Sequence, residues 1–173
     1  MEGLTDAGTV RLSAPALLSA DHACEAFDCG VPVLNAWLKE RALKSQGRYS
    51  QSYVVAEAGA VVGYYSLSAG SVQREVAPSR LRRNAPDDIP VALIGRLAVD
   101  LGHAGKGLGT DLLADALRRS AMASRTIGIA AIFVQAKDDA AKRFYLDRAK
   151  FIEFPTNSRT LFLPMEALAA ALP

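Results

Sequence analysis

The sequence predicts a mixed α/β domain, a central twisted sheet with helices on both faces. Apolar runs rich in branched and aromatic residues alternate along the chain with segments whose apolar residues recur at helical spacing. The connections between them are short and contain no repeat, linker or low-complexity segment. Half of the 173 residues are hydrophobic, which suits one substantial core, and residues 1–173 are therefore expected to form one domain.

The first predicted elements are a helix and a hairpin. Pro32 opens VLNAWLKERALKSQ, in which Leu34, Trp37, Leu38 and Leu43 fall on one helical face. SYVVAE and VVGYYSLSAG follow as strand-forming runs. Residues 58–60, Ala-Gly-Ala, separate the two runs and predict a hairpin turn.

The later elements alternate in the same way. Residues 74–90 contain three prolines and several arginines, which predicts a basic loop or a short helix. VALIGRLAVDL predicts a strand, and the helix that follows the glycines allows Asp115 to pair with Arg119 one turn later. IAAIFVQA predicts a buried strand, DDAAKRFYLDRA a helix with an acidic start, and RTLFLP a last strand before a short apolar tail.

Composition excludes several classes of protein. A net charge of +2 and a charged fraction of 22% are ordinary for a soluble protein and too mild to indicate nucleic-acid binding by themselves. No apolar stretch approaches the roughly 18 residues that a membrane span requires. Residues 1–9 lack the pattern of a secretory signal, so a cytoplasmic location is expected. His22, Cys24 and Cys29 could at most form part of a metal site; a structural role and no metal are expected.

The stretch LIGRLAVDLGHAGKGLGTDLLADAL passes from a strand through glycines into a helix. A P-loop requires a hydroxyl residue after its lysine, but Lys106 precedes Gly107. A dinucleotide fingerprint requires glycine at position 110, which is threonine. Backbone N–H groups at a helix N-terminus can still bind the pyrophosphate of a cofactor without a metal. The alternative is a tight glycine turn that binds nothing.

The order of these motifs resembles that of the GNAT acetyltransferases, whose pyrophosphate loop follows the pattern Gln/Arg-x-x-Gly-x-Gly/Ala. Gly107 and Gly109 match the two glycines, and Ala104 departs from the leading position. The helix DDAAKRFYLDRA is similar to the Asn-x-x-Ala-x-x-x-Tyr helix of the family, with Asp138 in place of the asparagine and Tyr145 matching the tyrosine. The resemblance implies the GNAT fold, in which the sheet is mostly antiparallel.

One branch of the family is more similar still. GYYSLSAGSV, IPVALIGRLAVD, the glycine loop, KRFYLDRAKF and TLFLP resemble, in order, the GNAT toxins of bacterial toxin–antitoxin pairs, over about residues 24 to 165. The resemblance implies transfer of acetyl from acetyl-CoA to the α-amino group of aminoacyl-tRNA, which blocks translation. It also implies a ribbon-helix-helix antitoxin and a homodimeric toxin.

The resemblance implies a set of site residues. Tyr145 is the predicted general acid, because a phenol keeps its proton at neutral pH and can supply it to a leaving thiolate; the alternative is that it packs the core with Phe144. No general base is assigned: Glu57, Glu75 and Asp100 are the candidates but are expected to be solvated or structural carboxylates, and His103 is expected to be an exposed turn histidine. The predicted cofactor-binding residues are Leu97, Ala98 and Val99 for the pantetheine arm, and Gly105, Lys106, Gly107, Leu108, Gly109 and Thr110 for the pyrophosphate.

Arginines are the predicted contacts to the phosphates of tRNA. Arg82, Arg83 and Arg96 lie in segments that the resemblance places near the acceptor groove, although a solvated pair and a structural ion-pair partner are the alternatives. Four further cations would extend a positive face: Lys39, Arg41, Lys44 and Arg48. Two rival functions stay open at this point, an ordinary GNAT enzyme acting on a small amine or a protein N-terminus, and a non-catalytic acyl-CoA-binding regulatory module.

Overall fold

The computed structural model describes residues 11–168, so residues 1–9 and the end of the predicted apolar tail lie outside the described residues. The helices are α1 (Pro32–Glu40), α2 (Ala42–Ser45), α3 (Ser79–Arg82), α4 (Leu108–Ala123) and α5 (Asp139–Arg148). The strands are β1 (Ala16–Leu17), β2 (Gln51–Glu57), β3 (Ala60–Gln73), β4 (Asp88–Val99), β5 (Ala131–Gln135), β6 (Ile152–Phe154) and β7 (Asn157–Pro164). Short 3-10 helices cover Arg74–Val76, Leu101–His103 and Met165–Ala167.

The seven strands form one sheet in the order β1-β2-β3-β4-β5-β7-β6. Every neighbouring pair is antiparallel except β4 and β5, which run parallel and are connected through α4. The mostly antiparallel sheet that the family resemblance implies is therefore confirmed. Parallel neighbours require a crossover helix, which explains why α4 begins where β4 has ended and returns along the sheet.

Helices cover both faces of this sheet, as predicted. On one face, α4 and α5 pack on a core that contains Leu112, Leu117 and Tyr145. On the other face, α1 and α2 pack against β2 and β3 around Tyr64, and α3 packs beside β5 and β7 through Leu81. No helix within residues 11–168 is both long and apolar enough to cross a membrane.

Several predicted elements differ from the observed ones in their details. The hairpin turn falls on Ala58 and Gly59, with φ angles of 49° and 83°, the pair of left-handed residues that a two-residue hairpin favours. The single helix predicted for residues 33–46 is instead two, because Arg41 has φ of −120° and interrupts it. Leu43, predicted to lie on the apolar face, is 49% exposed; beyond the break, Ala42 is the buried residue.

A β-bulge in β4 reverses which side chains face which side of the sheet. Leu67 of β3 pairs with Ile94, whereas Ser66 pairs with Arg96, so Gly95 is an extra residue in β4. Ile94 packs in the core beneath α4, but Arg96 lies on the α1 face and Leu97 returns to the α4 face. The bulge thus presents an arginine beside α1 without burying it in the main core.

Two contacts fix α4 on the sheet. Gly63 of β3 lets the helix approach closely, because a β-carbon at this position would lie 3.0 Å from Leu112 Cδ1 and 3.2 Å from Leu108 Cδ2. The predicted pair of Asp115 and Arg119 is confirmed at 2.8 Å, and the same carboxylate accepts a hydrogen bond from the hydroxyl of Tyr65 in β3. The Gly63 contact lies at the start of α4, beside the end of β4, and the Asp115 contacts hold the middle of the helix.

Candidate active site

The sheet opens between its two parallel strands. β4 pairs with β5 only from Val91 to Ile94, although β4 continues to Val99 in contact with β3. A cavity of about 270 Å³ occupies the start of this opening. Its lining comes from three strands: Leu93, Ile94, Gly95, Phe133, Val134, Gln135 and Thr160.

The backbone of β4 faces this opening at alternate residues. The N–H of Asp100 donates to the carbonyl of Val62 at 2.8 Å, so Asp100 points its N–H toward β3. Since hydrogen-bonding groups alternate along an antiparallel pair, Ala98 also directs its N–H toward β3. Leu97 and Val99 therefore direct theirs into the opening, where β5 no longer accepts them.

The glycine turn lies directly before α4. Gly105 and Gly107 have φ angles of 75° and 84°, a conformation that glycine adopts without strain, and no heavy atom lies within 4 Å of a β-carbon added to either. Gly107 is the N-cap of α4 and has no side chain to cap it. Lys106 is exposed between the two glycines.

The first turn of α4 carries unpaired N–H groups. The first intrahelical bond with Gly107 is donated by Asp111, at 3.1 Å, so Leu108, Gly109 and Thr110 have no intrahelical acceptor. The positive end of the helix dipole adds to these donors. The turn is thus built to bind an anion without a metal.

Gly109 joins three parts of the site. A β-carbon at this position would lie 3.7 Å from the ring of Phe144 in α5 and 3.8 Å from Cγ2 of Val99 in β4, which is ordinary van der Waals contact. Its φ is not in the left-handed region and a β-carbon would fit, so neither backbone conformation nor crowding requires glycine at this position. The glycine turn, the end of β4 and α5 therefore meet at one residue.

Tyr145 follows Phe144 in α5 and is 7% exposed. Its ring makes edge-to-face contacts with Phe144 and Phe151, with centres 5.3 Å and 5.8 Å apart. Burial raises the pKa of Tyr145 well above the ordinary tyrosine value, so its hydroxyl keeps its proton at neutral pH. The predicted acid is thus protonated, and its ring also packs the core.

The start of α5 explains one departure from the family pattern. Asp138 is the N-cap, and its Oδ1 accepts a hydrogen bond from the N–H of Ala141 at 2.8 Å. An asparagine could make the same bond, since both side chains are strong N-caps. The exchange of Asn for Asp therefore preserves the capping that places Tyr145.

The three predicted tRNA-binding arginines lie on the α1 and α3 face of the sheet. The guanidinium of Arg96 is 3.9 Å from the centre of the Trp37 ring in α1. Arg82 and Arg83 are exposed at the end of α3 and form no ion pair within the part of the chain described. Arg96 is thus held by a contact with an aromatic ring. The alternative considered from the sequence was a structural ion pair, which Arg96 does not form with the described residues.

The side chains that could act as a general base either make other contacts or lie away from the opening. The prediction that His103 is an exposed turn histidine is wrong, because the Nε2 of its imidazole lies 2.7 Å from Oε2 of Glu57. Asp100 accepts hydrogen bonds from the N–H groups of Asp28 and Gly102. Glu75 is exposed in a 3-10 helix after β3. No dedicated general base is assigned.

Metal ligation finds no support in the described residues. His22 accepts a hydrogen bond from the N–H of Ser19 through Nδ1, at 3.0 Å. Cys24 and Cys29 are free thiols beside the α1 core. Across residues 11–168, no three His, Cys, Asp or Glu side chains form a group that could hold a metal ion.

Sequence reasoning missed part of the cavity lining. Gln135 and Thr160 are polar residues paired across β5 and β7 at the mouth of the opening. Gln135 follows the apolar run IFV, and the C-terminal end of a parallel strand is where α/β proteins bind ligands. A polar residue at that end of β5 was the available signal.

A mostly antiparallel sheet that opens between its two parallel strands, with a helix N-terminus that can bind an anion beside the opening, is the arrangement that the resemblance to the GNAT acetyltransferases predicts. The family model described as Acetyltransferase (GNAT) family matches residues 17–151. The chain belongs to the GNAT acetyltransferase family, and the predicted fold and enzyme class are confirmed.

The chain is similar to proteins of the toxin branch. It is 42% identical to a tRNA-acetylating toxin of Mycobacterium tuberculosis over 162 residues, which cover 92% of this chain and 96% of that protein. The structure of AtaT complexed with acetyl-methionyl-tRNAfMet matches with a TM-score of 0.83 and 29% identity, covering 92% of this chain and 98% of that one. A mutant AtaT toxin bound to the C-terminus of the antitoxin AtaR and acetyl-CoA matches with a TM-score of 0.78 and 27% identity, covering 92% and 97%.

Proposed function

We propose that this protein is a toxin of a toxin–antitoxin pair, which transfers acetyl from acetyl-CoA to the α-amino group of aminoacyl-tRNA and so blocks translation. The observation that carries the reaction is the opening between β4 and β5, which lies beside the glycine turn and α5. Similarity over nearly the whole chain to a tRNA-acetylating toxin, and to AtaT complexed with acetyl-methionyl-tRNAfMet, supports the substrate.

The glycine turn is the proposed site for the diphosphate of acetyl-CoA. The N–H groups of Leu108, Gly109 and Thr110 provide donors, and Lys106 provides a positive charge. Gly105 and Gly107 let the backbone approach the ligand without obstruction. The pattern of pairing in β4 supports Leu97 and Val99, rather than Ala98, as the backbone donors to the pantetheine arm.

Tyr145 is the proposed general acid. Acetyl-CoA supplies the thioester, whose thiol leaving group has an ordinary pKa near 8.5. The buried hydroxyl of Tyr145 is protonated at neutral pH and can supply a proton where thiolate charge develops. The α-amine of an aminoacyl ester is partly neutral near pH 7, so water or a backbone carbonyl can accept its proton without a dedicated base.

The α1 and α3 face is the proposed acceptor side. Arg96 is fixed on Trp37, while Arg82 and Arg83 are exposed and available to phosphates. Four more exposed cations belong to α1, α2 and the segment after them: Lys39, Arg41, Lys44 and Arg48. They form no ion pair among the residues that the structure describes, which leaves their charge available to RNA.

The biological setting follows from the same proposal. Aminoacyl-tRNA is a cytoplasmic substrate, so we infer that the protein acts in the cytoplasm. We also propose that residues 1–173 form one domain. We infer a homodimer and neutralisation by a ribbon-helix-helix antitoxin; the AtaT toxin bound to the C-terminus of the antitoxin AtaR supports an antitoxin partner.

Incubation of the purified protein with labelled acetyl-CoA and a pool of charged tRNAs tests the function. Label is expected on the aminoacyl group with the wild type and at least about a hundredfold more slowly with Tyr145→Phe, because a general acid contributes about that factor or more. Tyr49→Phe is the matched control, since this tyrosine is 68% exposed. Label on free amines but on no charged tRNA would favour an ordinary acetyltransferase. Binding of acetyl-CoA without any transfer of label would favour a regulatory module.

A further inference from the structure

His103 is the last residue of the 3-10 helix Leu101–His103, directly before Ala104 and the glycine turn. It lies between two carboxylates. Its Nε2 is 2.7 Å from Oε2 of Glu57 at the end of β2, and its Nδ1 is 3.5 Å from Oδ2 of Asp100. Its side chain is 20% exposed, and Nδ1 is buried without a hydrogen-bond partner. The ring therefore joins the β2 hairpin to the segment that carries the turn.

Asp100 extends this contact toward α1. Its two oxygens accept hydrogen bonds from the N–H groups of Asp28 and Gly102, at 3.0 Å and 2.9 Å. Although burial acts to raise it, these bonds and His103 hold the pKa of Asp100 below its usual range. Asp28 in turn accepts a hydrogen bond from Asn35 Nδ2 of α1 at 2.9 Å. An anionic network thus runs from α1 to the residue before the turn.

The glycine turn has little packing of its own. No heavy atom lies within 4 Å of a β-carbon added at Gly105 or Gly107, and Lys106 is exposed. Its position therefore depends on its two ends. The α4 end is fixed by the packing of Leu108 and Leu112 on Gly63, and the other end is the His103 segment.

We propose that His103 is a positioning residue for acetyl-CoA, which holds the glycine turn in its binding geometry through the contact of its Nε2 with Glu57. The proposal rests on the proposed role of the turn as the diphosphate site. The Nε2 contact joins the end of β2 to the segment that leads into the glycine turn, and the ring leaves little freedom to that segment because only a fifth of its surface is exposed. Glu57 from β2 and Asp100 from the turn segment are the charged groups that face the ring, with Asp28 behind Asp100.

Calorimetric titration of acetyl-CoA into the purified protein tests this role. The wild type is expected to bind about threefold to tenfold more tightly than His103→Gln, the worth of roughly one hydrogen bond. The glutamine removes the ring that joins Glu57 to the segment before the glycine turn.

Glu57→Gln provides the second variant, because it keeps the shape of the side chain and removes its charge. It should weaken acetyl-CoA binding in the same direction, while Glu75→Gln, in an exposed 3-10 helix, should bind like the wild type. In acetyl transfer, both His103→Gln and Glu57→Gln should raise KM for acetyl-CoA and leave kcat nearly unchanged. Equal affinities of the wild type, His103→Gln and Glu57→Gln would overturn the positioning role. Absence of acetyl-CoA binding by the wild type would instead overturn the proposed function.

Discussion

The guanidinium of Arg96 lies 3.9 Å from the centre of the Trp37 ring, and that ring stacks nearly parallel to Tyr64 with centres 6.0 Å apart. Arg96 is only partly exposed, and burial outweighs the neighbouring Tyr64 so that its pKa lies below the usual arginine value. It remains a cation at neutral pH, since an arginine pKa is far above that range. The stack therefore presents a fixed positive charge on the face of the sheet that is proposed to receive tRNA.

Arg96 and Trp37 are expected to be energetically coupled. A double-mutant cycle with Arg96→Ala and Trp37→Leu should give a coupling energy of about 0.5 to 2 kcal/mol in urea unfolding, because a desolvated cation–π contact has that worth. Arg48→Ala with Tyr49→Leu is the control cycle; this pair is 5.2 Å apart and exposed. It should show a smaller coupling, at the lower end of that range, because an exposed cation–π contact is worth less. Equal coupling energies in the two cycles would mean that the Arg96 stack contributes no more than a surface contact.

Arg82 and Arg83 should affect the salt dependence of catalysis. Each phosphate contact releases about one counterion, so replacing both residues by alanine should lower the slope of log KM for charged tRNA against log salt by about two. Arg125→Ala is the control, because Arg125 is exposed after the C-terminal end of α4, on the other face of the sheet. A slope that is unchanged in the double variant and in the control would show that the two arginines do not contact phosphate.

Gly107 and Gly59 offer a matched comparison of the glycine turn. Both have left-handed φ angles, 84° and 83°, and both have open space around an added β-carbon. Alanine at either position should cost about 1 to 2 kcal/mol in the free energy of unfolding. Only Gly107→Ala should also weaken acetyl-CoA binding, measured by calorimetry. If both variants bind acetyl-CoA like the wild type, the turn is not the diphosphate site.

The carboxylate of Asp115 should contribute far more stability than a surface carboxylate. Asp115→Ala removes the acceptor of the Tyr65 hydroxyl, whose residue is fully buried, and should cost about 1 to 3 kcal/mol of unfolding free energy. Asp87→Ala breaks the exposed pair with Arg74 and should cost less than about 1 kcal/mol. Urea unfolding of both variants measures the difference. Similar losses would indicate that the Tyr65–Asp115–Arg119 contacts do not anchor α4.

Tyr145 should titrate only above the ordinary tyrosine range. Burial raises its pKa, so the folded protein holds this proton more tightly than the unfolded chain. The resulting stability is fully present below about pH 10 and is lost as pH rises further toward the folded pKa. Wild type and Tyr145→Phe should therefore give the same tyrosinate absorbance change up to about pH 10. A smaller change in the variant below that pH would contradict the burial of an un-ionised hydroxyl.

The fold was largely predictable because its signals are local. The alternation of apolar strands with amphipathic segments identifies β2 to β5, β7, α4 and α5, and the N-cap Asp138 is readable from sequence. The break at Arg41 was not, because neither glycine nor proline marks it. β1 and β6 contain two and three residues, too few for a periodic pattern to register.

The site was predictable in its backbone and less so in its side chains. The left-handed glycines before α4 follow from residue type, whereas the bulge at Gly95 depends on the pairing of β4 with β3. The contacts of Arg96 with Trp37 and of His103 with Glu57 join residues 59 and 46 positions apart. Such contacts are set by how the elements pack, and no spacing rule within the sequence anticipates them.

β4 lies in the middle of the sheet but, because of the opening beside it, should exchange its amide hydrogens as an edge strand does. The amides of Leu97 and Val99 have no partner strand, because β5 pairs with β4 only as far as Ile94. The amide between them, that of Ala98, is hydrogen-bonded to β3. The amides at every second position of this segment should thus exchange with deuterium in the unliganded protein. The same unpaired groups can form hydrogen bonds with an extended peptide from another molecule. In the proposed function the pantetheine arm covers these groups, and acetyl-CoA should then protect both amides from exchange.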